Sequence, residues 1–291
     1  MMLDKRYHSL KGKTIETMKI GVFDSGVGGF TVVRELFALV PHVPVVYFGD
    51  TARAPYGTKS RQTLIKFALE DVEFLLGHGA TIIVIACHSA ASTASEVLKQ
   101  KLDIPVFEVV TPSIEEACSI TKTKRIGLIG TRATVASNIY DRKIPKRLPG
   151  ARLFQQPCPL LVPLVEEGWL RRRETRMIVK TYLRPLKDKQ IDTLILGCTH
   201  YPLLKKIIQE KAGKRIRIVD PSYEVARQVA GEIARIGTKV DNMDHGEMGQ
   251  RHRFFLSDLT PHTNKIVASF LGRKVELERA DFNHCPDLKM P

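Results

Sequence analysis

Short uninterrupted apolar runs recur along the chain, each closing on Gly, Asp, Ser or Cys and each followed by residues with helical spacing. Residues 19–24 (KIGVFD), 45–50 (VVYFGD), 81–87 (TIIVIAC) and 106–110 form a first set, and 125–130 (RIGLIG), 151–155, 192–198 (DTLILGC) and 217–220 form a second. A half-exposed strand alternates apolar and polar positions, whereas continuous Val/Ile runs belong to strands buried on both faces. The intervening helical stretches supply the crossovers that parallel strands need. The pattern predicts an α/β fold of mostly parallel sheets covered by helices on both faces.

The two sets correspond in order. IGVFDSG resembles IGLIGTR, with Gly127 lying 106 residues after Gly21, and TIIVIACHSA resembles TLILGCTHYP, with Cys198 lying 111 residues after Cys87. Similar offsets predict two facing, pseudo-symmetric α/β domains. The first is expected over residues 18–111 with a return at about 222–265, and the second over 112–221. Residues 1–17 are polar and basic and are expected to form a disordered extension, and about 266–291 a basic tail. Ligands of open α/β sheets bind beyond the carboxyl ends of the strands, so two such domains facing each other would line one cleft.

Composition narrows the class. The 43% hydrophobic content is that of a globular protein with a sizeable core. No run approaches the ~20 apolar residues that span a bilayer, and the first residues lack the apolar core of a secretory signal, so the expected location is cytoplasmic. The formal net charge of +14 invites a nucleic-acid reading. The charges are scattered, however, and no nucleic-acid-binding motif accompanies them, so no such partner is expected; an acidic small molecule would be steered by the same field. The five cysteines are odd in number and lack the spacing of a zinc site.

The residues with chemical potential fall at the strand ends. Asp24-Ser25-Gly26-Val27-Gly28-Gly29 follows a strand and opens a helix, where glycines permit a tight turn and backbone N–H groups favour an anion. Asp50 ends the next strand, ahead of the Ala54-Pro55-Tyr56-Gly57 loop. Cys87 is followed by His88 and Ser89, and Cys198 by Thr199, His200 and Pro202. A buried cysteine is ordinarily an inert small hydrophobe, but two of them, each beside a hydroxyl at corresponding strand ends, form a pair. Glu166, in PLVEEG, is otherwise a surface carboxylate. Inverting a stereocentre requires a base on one face and an acid on the other, with the roles exchanged in reverse, so the two groups should be alike. One thiolate and one thiol meet that demand without a metal.

These motifs resemble the aspartate/glutamate racemase superfamily, and within it the glutamate racemases. The resemblance runs from about residue 19 to 231 through DSGVGG (24–29), GDTARAPYG (49–57), Ala86-Cys87, GTRAT (130–134), PLVEEG (163–168) and GCTHYPL (197–203). It implies a cofactor-independent interconversion of L- and D-glutamate, supplying peptidoglycan synthesis, by a homodimer. Carried over, Cys87 takes the α-proton of D-glutamate and Cys198 that of L-glutamate. Asp24 and His200 assist the thiols, with Asp50 and Glu166 in supporting roles. Ser25, Tyr56, Gly57, His88, Ser89, Thr131, Thr134, Thr199, His200 and Asp24 hold the substrate.

One position departs from the family pattern. Where relatives read Ala-Cys-Asn-Thr-Ala, this chain reads Ala86-Cys87-His88-Ser89-Ala90. A charged His88 would pair with a substrate carboxylate or lower the Cys87 pKa; a displaced one would leave the substrate underheld. Two alternatives therefore stand: a racemase for aspartate or another amino acid, and a glutamate-binding regulator weakened in turnover.

Overall fold

The computed structural model describes residues 18–235 and 252–280; the extension expected over 1–17, and Cys285, lie outside them. The first set of runs becomes β1 (Ile20–Asp24), β2 (Val45–Gly49), β3 (Ile82–Ile85) and β4 (Val106–Glu108), each pairing in parallel with its neighbours. Between and after them lie α1 (Phe30–Leu39), α2 (Arg61–Gly77), α3 (His88–Lys101) and α4 (Val110–Ile120). The second set becomes β5 (Arg125–Gly130), β6 (Arg152–Pro157), β7 (Thr193–Gly197) and β8 (Arg217–Val219), with α5 (Arg132–Ala136), α6 (Ile139–Arg147), α7 (Leu161–Glu166), α8 (Arg173–Asp188) and α9 (Lys205–Ala212) among them.

The two sheets share one strand order. It runs β2-β1-β3-β4 in the first and β6-β5-β7-β8 in the second. Chain order reverses at β1/β3 and at β5/β7, the switch points where open parallel sheets bind ligands. Every residue of β1, β2, β3 and β7 is buried, which is why these runs lack polar alternation. Gly21 and Gly127 occupy the same place in the two sheets, opposite Ile83 and Leu194. A Cβ at either would lie 2.7 Å from Ala80 Cβ or 2.5 Å from Ile191 Cδ1, so the corresponding glycines serve the same close packing.

After β8 the chain enters α10 (Pro221–Arg235), which packs on α1 and α4. β9 (Arg253–Leu256) then joins the first sheet beside β2, and β10 (Glu278–Arg279) extends that edge. Residues from 266 onward are therefore no simple tail. They begin inside α11 (Thr263–Leu271), whose Val267, Phe270 and Leu271 are buried, and reach β10 before leaving the described region. The short period of this helix and the two-residue strand leave little pattern to read in the sequence.

Candidate active site

Both switch points open onto one cavity of about 420 Å³, lined from the first sheet by Ser25, Tyr56, Gly57, Cys87, His88 and Ser89 and from the second by Thr131, Arg132, Cys158, Glu166, Cys198, Thr199 and His200. Two glycines permit this approach. A Cβ on Gly28 would meet Thr199 Oγ1 at 2.4 Å and His200 Nδ1 at 2.5 Å, and one on Gly57 would meet Thr131 Cβ at 2.9 Å. Hydrogen bonds cross the same seam: Thr199 Oγ1 donates to Asp24 Oδ1 (3.2 Å), Thr31 Oγ1 donates to Thr199 O (3.2 Å), and the hydroxyls of Ser89 and Thr131 lie 3.0 Å apart.

Cys87 follows β3 and caps the N-terminus of α3. Its thiol donates to Ser25 Oγ at 3.5 Å. A helix N-terminus favours a thiolate, but here burial and the nearby Asp24 charge outweigh the Ser25 and Ala90 hydrogen bonds and push the thiol up to about 12. Cys198 follows β7 and stands 3.8 Å from His200 Nδ1. Instead of the α-helix that Pro202 suggests, a 3-10 turn (Tyr201–Leu204) precedes α9. His200 is buried, which opposes its charged form, yet its hydrogen bonds to Cys198 and to Glu166 Oε1 (2.9 Å) overcome that and raise it to about 10. A positive charge thus sits beside Cys198, anchored on its far side by a half-exposed carboxylate.

The sequence and the fold are similar to those of known proteins. Residues 21–229 match the family described as Asp/Glu/Hydantoin racemase. A glutamate racemase of Geobacter metallireducens is 42% identical over 256 residues, covering 88% of this chain and 93% of its own. Among solved structures, a glutamate racemase isoform from Bacillus anthracis superposes with a TM-score of 0.84 at 34% identity, covering 91% of this chain and 97% of that one. A Francisella tularensis glutamate racemase in complex with D-glutamate does so with 0.82 at 32%, covering 92% and 99%. The chain belongs to the Asp/Glu/Hydantoin racemase family.

Three of the residues expected at the site of this racemase stand behind its wall. Asp24 is wholly buried and does not line the cavity. It accepts from the Gly26 N–H (3.1 Å) and from Thr199, so donors expected to await an anion are taken by its own carboxylate. Burial raises its pKa, against His200 and the Gly29, Thr199 and Gly26 hydrogen bonds, which lower it. Asp50 is also buried away from the cavity. Its carboxylate accepts from Arg53 Nε (2.5 Å), Tyr56 Oη (2.5 Å) and Ser257 Oγ (3.0 Å). Its position anchors the Tyr56 loop rather than lining the cavity, because Arg53, three residues on, turns back onto it. Asp71 completes that anchor, accepting from Tyr56 Oη (3.0 Å) and Arg53 (2.9 Å). Thr134 lies behind Thr131, its hydroxyl 3.0 Å from that of Thr131.

Other residues were not foreseen. Cys158 lines the cavity on the Cys198 side, its thiol raised by burial and by Cys198 against the Gly130 N–H. Arg132 brings a cation to the rim. Both follow strands of the second sheet, β6 and β5, and that position was the available signal.

Proposed function

We propose that this racemase interconverts L- and D-glutamate without a cofactor, with Cys87 and Cys198 as opposed acid and base. The supporting observation is that the two thiols close topologically equivalent strands of two sheets and line one cavity. In the L-to-D direction the Cys198 thiolate takes the α-proton, breaking the Cα–H bond and forming S–H. The electron pair passes into the α-carboxylate as an enediolate, and Cys87 delivers its proton to the opposite face of Cα. His200 imidazolium offsets the charge on Cys198 before transfer, and Glu166 holds the ring by its other nitrogen. The N–H groups that open α3 ahead of Ala90 have no intrahelical partner and suit a substrate carboxylate, and Arg132 at the rim favours an acidic substrate.

The same reading, drawn from the family resemblance, includes a cytoplasmic homodimer whose product serves peptidoglycan synthesis. The decisive experiment is early conversion of L-glutamate in deuterium oxide. Deuterium should enter the product D-glutamate while the remaining L-glutamate keeps its protium; equal labelling of recovered substrate would point to one base. Cys87→Ser and Cys198→Ser should each lower turnover by roughly 10²–10⁴-fold. Faster turnover of aspartate would transfer the substrate assignment, and binding of glutamate without α-proton exchange would leave a binding protein.

A further inference from the structure

The loop 54–57 walls the cavity and is held from behind by more negative charge than its one cation can offset. Arg53 donates to Asp50 through Nε (2.5 Å), to Glu70 through Nη1 and to Asp71 through Nη2 (2.9 Å). Asp50 and Asp71 are both wholly buried, and Asp71 belongs to the inward face of α2. Three carboxylates around one guanidinium would leave buried charge unpaired, which is costly away from water. Hydrogen atoms are short at the same place. Tyr56 Oη lies 2.5 Å from Asp50 Oδ2 and 3.0 Å from Asp71 Oδ2. Donation to both would need two hydrogens, and a phenol has one.

The surroundings decide which carboxyl group carries the missing hydrogen. Asp50 is an acceptor on both oxygens. Its Oδ2 takes the Arg53 Nε–H, and its Oδ1 takes the hydrogen of Ser257 Oγ (3.0 Å), which itself accepts from the Ala52 N–H (2.9 Å). Asp71 Oδ1 accepts from Arg53, while among the described residues Oδ2 faces only the Tyr56 hydroxyl. The longer of the two tyrosine contacts therefore runs from Asp71 to Tyr56. We propose that Asp71 is a positioning residue of this racemase, a neutral carboxylic acid whose Oδ2–H donates to Tyr56 Oη, which donates in turn to Asp50 and fixes the loop 54–57 against the cavity. Burial, and then the Asp50 charge, push the Asp71 carboxyl well above the usual carboxylate range, against Arg53 and Tyr56. Tyr56 and Gly57 line the cavity and Asp71 does not, so Asp71 acts through the loop. Its effect on glutamate rests on the reading above; its state of protonation does not.

The test compares wild type with Asp71→Leu and Asp71→Asn. Asp71→Leu removes the donor to Tyr56 and the acceptor for Arg53. Its KM for L- and D-glutamate should rise about tenfold, with kcat falling by less because neither thiol has moved. Asp71→Asn sets an amide N–H where the acid hydrogen stood and an oxygen towards Arg53, so it should recover most of the affinity. A residue that only stabilised the fold would lower the unfolding midpoint of Asp71→Leu and leave its KM as in wild type. Infrared spectra supply a readout that needs no substrate and no leucine variant. Wild type at neutral pH should show the carbonyl band of a protonated carboxylic acid, shifted in deuterium oxide and missing from Asp71→Asn. Absence of that band overturns the proposal, as does an unchanged KM in Asp71→Leu or an Asp71→Asn as impaired as Asp71→Leu. Failure of wild type to exchange the α-proton is a separate result; it defeats the glutamate reading and leaves the infrared comparison to decide the state of Asp71.

Discussion

Cys87 caps a 14-residue helix and its thiol donates a hydrogen bond to Ser25 Oγ, whereas Cys198 precedes a 3-10 turn and faces the imidazole of His200. The histidine neighbouring each thiol in sequence differs as much. His88 is neutral and unpartnered; His200 is held towards its charged form by Cys198 and Glu166. Two domains with one strand order thus carry the same side chain beside imidazoles of opposite charge state. Burial and the Asp24 charge hold the Cys87 thiol in its protonated form, while the His200 imidazole faces Cys198; under the proposed mechanism this asymmetry suits Cys87 to the acid role and Cys198 to the base role for the L isomer. Racemisation is symmetric as a reaction, but the protein need not be. Enantiomers have equal free energy, so kcat/KM must be equal in the two directions at every pH. The asymmetry can appear only in kcat and KM taken separately.

Replacing His200 attacks the larger half of this contrast. His200→Asn removes the positive charge beside Cys198, and kcat/KM should fall about 10²-fold, the lower range for a proton-handling partner, equally for L- and D-glutamate. Steady-state rates in both directions check this. A loss smaller than about threefold would mean that Cys198 ionises without the imidazolium, and the electrical contrast would then have no catalytic meaning.

A smaller effect tests how tightly the two sides are brought together. Gly28 belongs to the loop after β1, yet an added Cβ would strike Thr199 and His200 across the seam. Gly28→Ala should destabilise the protein by ~1–3 kcal/mol, the cost of overpacking, and lower turnover by misplacing His200. Gly26→Ala is the matched comparison, since a Cβ there meets nothing within 4 Å, and its unfolding midpoint should stay near that of wild type. Equal midpoints for the two variants would show that the seam yields to the extra methyl.

The strands were legible because burial on both faces writes itself as continuous Val/Ile runs; β5 begins and ends where the run at 125–130 does. The thiol pair was legible for the same reason, since each cysteine closes such a run. What a side chain does after a strand end was less so. Asp24 and Asp50 both close strands, yet one accepts from its own glycine loop and the other from Arg53, Tyr56 and Ser257. Ser257 is more than two hundred residues away in sequence, and local spacing carries no trace of it. Cys158 was hidden because its strand, β6, is exposed at its first residue and half-buried along the rest, and offers no strong apolar run. His88 was recognisable as a departure, but its neutrality follows from burial and lack of partners, which only the folded chain reveals.

The smallest effect is on stability, and it separates the two histidines by sign. The His200 pKa is raised in the folded state above the unfolded value of ~6.5, so its contribution is complete below that pH and is lost as pH rises towards about 10. The His88 pKa is depressed to about 3, so its contribution is complete above ~6.5 and is lost as pH falls, because the unfolded chain then takes up a proton that the buried ring refuses. Each slope is at most roughly 1.4 kcal/mol per pH unit. Urea midpoints of wild type against His88→Asn between pH 6.5 and 4 should show wild type losing the extra stability on the acid side. Against His200→Asn, the extra loss in wild type should appear between pH 6.5 and 8.5, below the range where unfolded cysteines ionise and the raised Cys87 thiol adds its own alkaline loss. Parallel curves in the acid window would mean that His88 charges freely in the folded protein, and parallel curves in the alkaline window that His200 is not held in its charged form. Opposite slopes would place the two imidazoles in opposite protonation states within one cavity at neutral pH, an asymmetry that accords with the proposed division of acid and base between the two thiols.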